Sequence, residues 1–124
     1  MELKITTYVD GEKLTEEKYE CEYTHEKFLE EITYLDEKRN KIKVTIDKIK
    51  ENVTIEKEQQ ITNISYVRKK TNYSTQYGVM EFESSLVSLK KQERSKFVVF
   101  EIVYNLYFSK EDKQQNKLRM QIKR

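Results

Sequence analysis

Reactive side chains are sparse in this chain of 124 residues, and their spacing limits the chemistry they can support. His25, the only histidine, lies in Tyr23-Thr24-His25-Glu26-Lys27, with no HExxH partner and no local metal-ligand spacing; it reads as an exposed turn residue. Cys21 is the only cysteine, which rules out a disulfide or a thiolate cluster within one chain. On a strand, Cys21 and His25 share a side but stand about 13 Å apart, too far for a thiolate–imidazole pair. Glu81 and Glu83 share one strand face, as paired carboxylates for acid/base work would, but Met80 and Phe82 take the other face and leave the acids to solvent. With only Gly11 and Gly78 as glycines, a Gly-rich phosphate loop is disfavoured. No catalytic residue, metal site or cofactor is expected.

The nine tyrosines carry more information. Tyr66, Tyr73, Tyr77, Tyr104 and Tyr107 place amphipathic rings in the carboxyl-terminal half. With Thr75 and Arg119, they would orient the polar end of a small, partly apolar ligand whose body meets Phe82, Val98, Phe100 and Ile102. The competing reading is an interior filled by side chains, since eight-stranded barrels do either. Arg68-Lys69-Lys70, Lys90-Lys91, Arg94, Lys96, Lys117 and Arg119 offer phosphate contacts, and Tyr66 and Tyr73 offer stacking surfaces. No RNP, GXXG or helix-turn-helix pattern accompanies them, and lysines at strand ends are ordinarily solvated, so nucleic-acid binding is the lesser reading. The formal charge of +2 hides a net acidic first half and a net basic second half. A homodimer along an edge strand or an exposed Tyr/Phe patch is also compatible with the pattern, with no residue that fixes its symmetry.

The elements that must position these groups are strands. From Phe97 to Phe108 only Glu101 and Asn105 interrupt an apolar run, and Val98, Phe100, Ile102, Tyr104, Leu106 and Phe108 line one face. Ile42, Val44 and Ile46 repeat that period, as do Leu118, Met120 and Ile122. Leu3, Ile5, Thr7 and Val9 form a first strand ended by Asp10-Gly11, a hairpin dipeptide. Residues 15–23 run back, 27–35 favour a strand over a short helix, and further strands follow at 41–47, 53–55 and 61–67, the last ending in Arg68-Lys69-Lys70. Tyr73, Thr75, Tyr77 and Val79 share one parity, and Met80, Phe82, Ser84, Leu86 and Ser88 the other. The change beside Gly78 predicts a structural turn, bulge or sharp bend there. Residues 90–96 and 109–116 read as charged connections.

The segment Tyr73-Ser74-Thr75-Gln76-Tyr77-Gly78-Val79-Met80-Glu81-Phe82, with Phe97 to Phe108 and Leu118-Arg119-Met120-Gln121-Ile122 behind it, resembles the YwiB-like family of uncharacterised bacterial proteins. An Arg-x-Gly turn frequent in similar proteins has no counterpart here, where Ile55 to Gln60 lacks glycine. The resemblance implies a lipocalin-like (calycin) β-barrel and carries no established activity. The expected architecture is therefore all-β: one domain over residues 1–124, a single antiparallel lipocalin-like barrel of about eight to nine strands. The expected function is non-enzymatic binding of a small molecule, with a protein-interaction or nucleic-acid-binding outer surface as the alternative. No apolar run reaches 18 residues and no apolar signal segment opens the chain, so a cytoplasmic protein without membrane spans is expected.

Overall fold

The computed structural model describes residues 1–58, 60–75, 78–109 and 112–124, with the side chains of residues 72–75, 79 and 80 outside that description. Ten strands follow one another: β1 Glu2–Val9, β2 Glu12–His25, β3 Leu29–Leu35, β4 Lys41–Asp47, β5 Asn52–Lys57, β6 Gln60–Ile64, β7 Lys69–Thr75, β8 Gly78–Glu93, β9 Phe97–Tyr107 and β10 Lys113–Lys123. Period-two alternation accounts for the most regular of them. In β4, Ile42, Val44 and Ile46 are buried, while Lys41 is exposed and Lys43 and Thr45 are half-buried. In β9, Val98, Phe100 and Ile102 are buried on one parity, as the sequence predicts, while Val99 is buried on the other and Phe108, expected on the first face, lies beyond the strand and is 51% exposed.

Every neighbouring pair is antiparallel, in the order β6-β5-β4-β3-β2-β1-β10-β9-β8-β7. Two meanders, β1 to β6 and β7 to β10, are joined through the β1–β10 ladder, which runs from Glu2 opposite Lys123 to Val9 opposite Asn116. Strand β2 changes partner along its length: residues 12–20 pair with β1, and Cys21 to His25 pair with β3. It thereby divides the sheet into two wings whose apolar faces share one core. Leu3, Ile5, Val98, Phe100, Ile102, Met120 and Ile122 from one wing cluster with Ile32, Ile42, Val44, Ile46, Val53 and Ile64 from the other.

The closed, calycin-like barrel of eight or nine strands implied by the YwiB-like resemblance is not what the chain forms. The described residues form ten strands, and the sheet is open, with β6 and β7 as its two ends. The reason lies in the last pairing. β6 is five residues long, and the chain then leaves the ladder through residues 65–68 before β7 begins. A backbone bond from Leu86 N–H to the Ser65 carbonyl, 2.6 Å, ties this connector to β8, but it is no strand ladder. A barrel needs its first and last strands paired along their length.

Local details depart from the sequence reading in instructive ways. Asp10 and Gly11 both have positive φ, 48° and 85°, as the tightest hairpins require. Lys69 and Lys70 open β7 instead of ending the preceding strand, and the connection before β9 shrinks to residues 94–96. The β7–β8 register sets Tyr73 opposite Met80 and Thr75 opposite Gly78, so odd positions before Gly78 share a face with even positions after it; farther on, the β8–β9 register shifts between Leu86 and Ser88 and leaves Val87 as an extra, 43% exposed residue. Gly78 begins β8 opposite Thr75 with φ +121°, and a Cβ built there would meet nothing within 4 Å. Backbone strain alone, without crowding, therefore sets the cost of a side chain at this position. Gly78→Val is expected to lose about 1–3 kcal/mol in urea titration, and Gly78→Ala a similar amount. A large gap between the two would point to crowding.

The β3–β4 turn is held by one carboxylate. Asp36 Oδ1 accepts from the backbone N–H groups of Lys38 (2.9 Å) and Asn40 (2.8 Å), and Lys57 Nζ stands 3.5 Å from Oδ2. The Asn40 backbone bond, followed by the Asn40 side chain and the other donors, outweighs desolvation and keeps this carboxyl below its ordinary range. A depressed folded-state value means that the contribution is complete above the unfolded carboxyl's value, about pH 4, and is lost as pH falls through the folded value. Acid titrations of stability are expected to show a smaller loss in this window for Asp36→Asn than for the parent chain.

Candidate functional site

The most unusual side chain in the core is Glu30. It lies on the inward parity of β3 with Ile32, opposite His25 on β2 and Ile46 on β4, and is fully buried. Its Oε1 accepts from the Tyr23 hydroxyl at 2.6 Å and from Lys91 Nζ at 2.5 Å. Its Oε2 is also buried and has no hydrogen-bond partner among the described residues. A carboxylate withdrawn from water is costly unless its lone pairs are satisfied, so half of this group is provided for and half is not.

Lys91 arrives from the other wing. The extra residue at Val87 reverses the parity of β8, so that Leu89 packs against the core and Lys91 stands opposite Phe100 of β9. Its ammonium lies 5.9 Å from the Phe100 ring centroid and also meets Glu93 at 3.1 Å, and Glu93 in turn meets Arg124 at 3.4 Å. Burial works against the charged lysine, but the bonds to Glu30 and Glu93 outweigh it and raise its pKa above the ordinary value. The Tyr23 hydroxyl is pushed up, first by burial and then by its bond to Glu30. Tyr23 also sets its ring edge-on to Phe100, 6.2 Å between centroids, and stacks on His25 at the same separation.

A cavity of about 130 Å³ opens beside this cluster, lined by Glu30, Ile46, Lys48, Glu51, Leu89, Lys91 and Phe100. One wall is apolar and aromatic, the other carries two acids and two bases. Such a place can hold a small molecule by contact with Phe100 and Leu89 and orient it through the charged groups of its lining. The lining includes no nucleophile–base pair, and no group of three potential metal ligands occurs among the described residues.

The residues singled out from the sequence are scattered. Tyr66 lies in the β6–β7 connector, 49% exposed. Tyr104 packs against the core opposite Asn116, its hydroxyl pushed up by burial. Arg119 is on the opposite parity from Met120, with its Nε 3.7 Å from Glu101. Tyr77 lies outside the described residues, as do the side chains of Tyr73 and Thr75. Of the expected apolar contacts, Phe100 lines the cavity. Several of the basic residues meet acidic neighbours: Arg68 pairs with Glu83 and lies 3.7 Å over the Tyr107 ring, Lys70 pairs with Glu81 at 3.3 Å, and Lys117 with Glu101 at 3.8 Å. Glu81 and Glu83 are thus ion-pair partners of β7 and its connector. Cys21 is buried, and burial raises its thiol pKa, which makes it a poor nucleophile. His25 ends β2 in an exposed position. Glu30 escaped the sequence reading, although its shared parity with Ile32 and Tyr34 was a usable signal.

Fold and cluster together define an all-β protein of two antiparallel wings with a polar site between them. No family model and no curated protein sequence matches the chain, and no helix among the described residues is long and apolar enough to cross a membrane. The crystal structure of the ywiB protein from Bacillus subtilis is similar in fold, with a TM-score of 0.74 at 12% sequence identity over 97% of this chain and 87% of that one. At that identity, the likeness speaks for the fold.

Proposed function

We propose that the chain is a non-enzymatic, cytoplasmic binding module that takes a small, partly apolar molecule in the cleft between the wings. The observation that carries this reading is the cavity of about 130 Å³ beside the Glu30–Lys91 pair, where Phe100, Leu89 and Ile46 share the lining with Lys48, Glu51 and Lys91. A concave site of mixed apolar and charged lining suits a small molecule with an apolar body and a polar end. Tyr23 and Lys91 fix the carboxylate in place, while Phe100, Leu89 and Ile46 supply the apolar contact. Native mass spectrometry of the protein isolated from its own cells is expected to show a retained small molecule, and Leu89→Trp, which fills the cavity, is expected to lose it. A bare chain that also binds nothing in a broad metabolite panel overturns this reading. Salt-sensitive RNA binding in its place would move the function to the outer surface.

A further inference from the structure

An open sheet presents backbone groups to which another strand can add, and proteins ordinarily blunt such edges with charge. Most edges of this sheet are guarded in that way. β7 opens with Lys69 and Lys70. Residues 12–19 of β2, which pair with β1 on one side only, include Glu12, Lys13, Glu16, Glu17 and Lys18. Beyond Ser84, where the pairing with β7 ends, β8 carries Lys90, Lys91 and Glu93. β6 has no such guard. Gln60-Ile61-Thr62-Asn63-Ile64 is uncharged in a chain of which 37% is charged, and the uncharged run continues through Ser65, Tyr66 and Val67. Its apolar side chains are not withdrawn either, since Ile61 is 64% and Val67 69% exposed.

The register fixes which groups of β6 are on offer. Lys57 and Gln60 face each other across the tight β5–β6 turn, where Glu58 has φ 53°, and they close it with backbone bonds. Antiparallel ladders alternate, so Ile55 with Thr62 and Val53 with Ile64 are the next bonded pairs. The N–H and C=O groups of Ile61 and Asn63 therefore point away from β5, toward the end of the sheet.

We infer that β6 is a docking edge for a second copy of this chain, joined antiparallel about a two-fold axis at Thr62. In that register Ile61 of each copy exchanges both backbone bonds with Asn63 of the other, and the two Ile61 side chains are diagonal neighbours on the outer face. A strand paired with itself meets its own charges. β7 joined in this way would oppose its lysines, whereas β6 has none to oppose. Lys69 Nζ bonds to Asn63 Oδ1 at 3.2 Å, so each copy brings one ammonium to the rim of the join. The join is short, well below a standard interface of about 1,600 Å², and the dimer is accordingly weak.

Sedimentation velocity of the whole protein, from about 10 µM to about 1 mM, tests this. The mean mass is expected to rise from one chain toward two, with half association on the order of 0.1 mM, and raising salt is expected not to weaken it. Ile61→Lys sets two ammonium groups against each other across the axis and is expected to remain a single chain throughout. Leu14→Lys replaces an apolar residue exposed to a similar degree on the β2 edge and is expected to change nothing. Hydrogen exchange on the parent chain needs no variant and decides if Ile61→Lys fails to fold. The Ile61 and Asn63 amides are expected to slow about fourfold between the dilute and concentrated samples, while Thr62, already bonded to β5, does not change. A single chain at 1 mM, dimers that persist in Ile61→Lys or vanish in Leu14→Lys, association that salt weakens, or exchange at residues 61 and 63 that ignores concentration overturns the inference.

Discussion

Phe100→Ala is expected to lower the unfolding free energy by about 3–5 kcal/mol, the range for deleting a large aromatic ring from a packed core. Phe100 is 1% exposed, sits in the core between the wings, meets the Tyr23 ring edge-on and floors the cavity beside Glu30. Its loss removes apolar burial and enlarges an existing hole, and the two effects add. Urea unfolding at neutral pH measures the change. A loss below about 1 kcal/mol would mean that the β9 face is not packed as described.

Lys91→Met is expected to cost about 3 kcal/mol, the lower end of the range for breaking a buried ion pair, because the lysine side chain is 24% exposed while Glu30 is fully buried. The methionine keeps most of the apolar stem, so the penalty arises from a carboxylate left with only Tyr23 as donor. Glu30→Leu in the same chain removes that stranded charge, and the double variant is expected to recover most of the loss. The double-mutant cycle separates the two effects. Additive losses would show that Glu30 and Lys91 do not depend on each other.

How far the sequence reached differs between neighbouring strands. β1 and β4 were legible because their apolar residues alternate with polar ones, β9 because it is the longest apolar run, and Asp10-Gly11 marked the first hairpin. β8 was legible as a strand, but its inner face was not. Continuing the parity of Ser84 and Leu86 sends Lys91 outward, and the extra residue at Val87 sends it in. Nothing at Val87 distinguishes it from an ordinary strand residue, whereas Gly78 drew attention through its backbone freedom. Glu30 was passed over because a glutamate on a charged strand ordinarily faces water, and the group that makes its burial tolerable comes from 61 residues away. Closure of the sheet was likewise illegible. Each hairpin is a local matter of alternation and turn residues, but the relation of β6 to β7 depends on where two whole meanders place their last strands.

The β1–β10 ladder joins the two meanders, and its register sets Glu2 beside Lys123 at one extremity. A force applied between those two residues therefore acts along the inter-strand hydrogen bonds, which in an antiparallel pair lie perpendicular to the strands. The bonds then open a few at a time from that extremity instead of being sheared together. The molecule is mechanically soft in this direction, and single-molecule pulling from residues 2 and 123 should part the two meanders at low force. Pulling instead from the β1–β2 turn and Lys123, along the length of the same ladder, should meet far greater resistance.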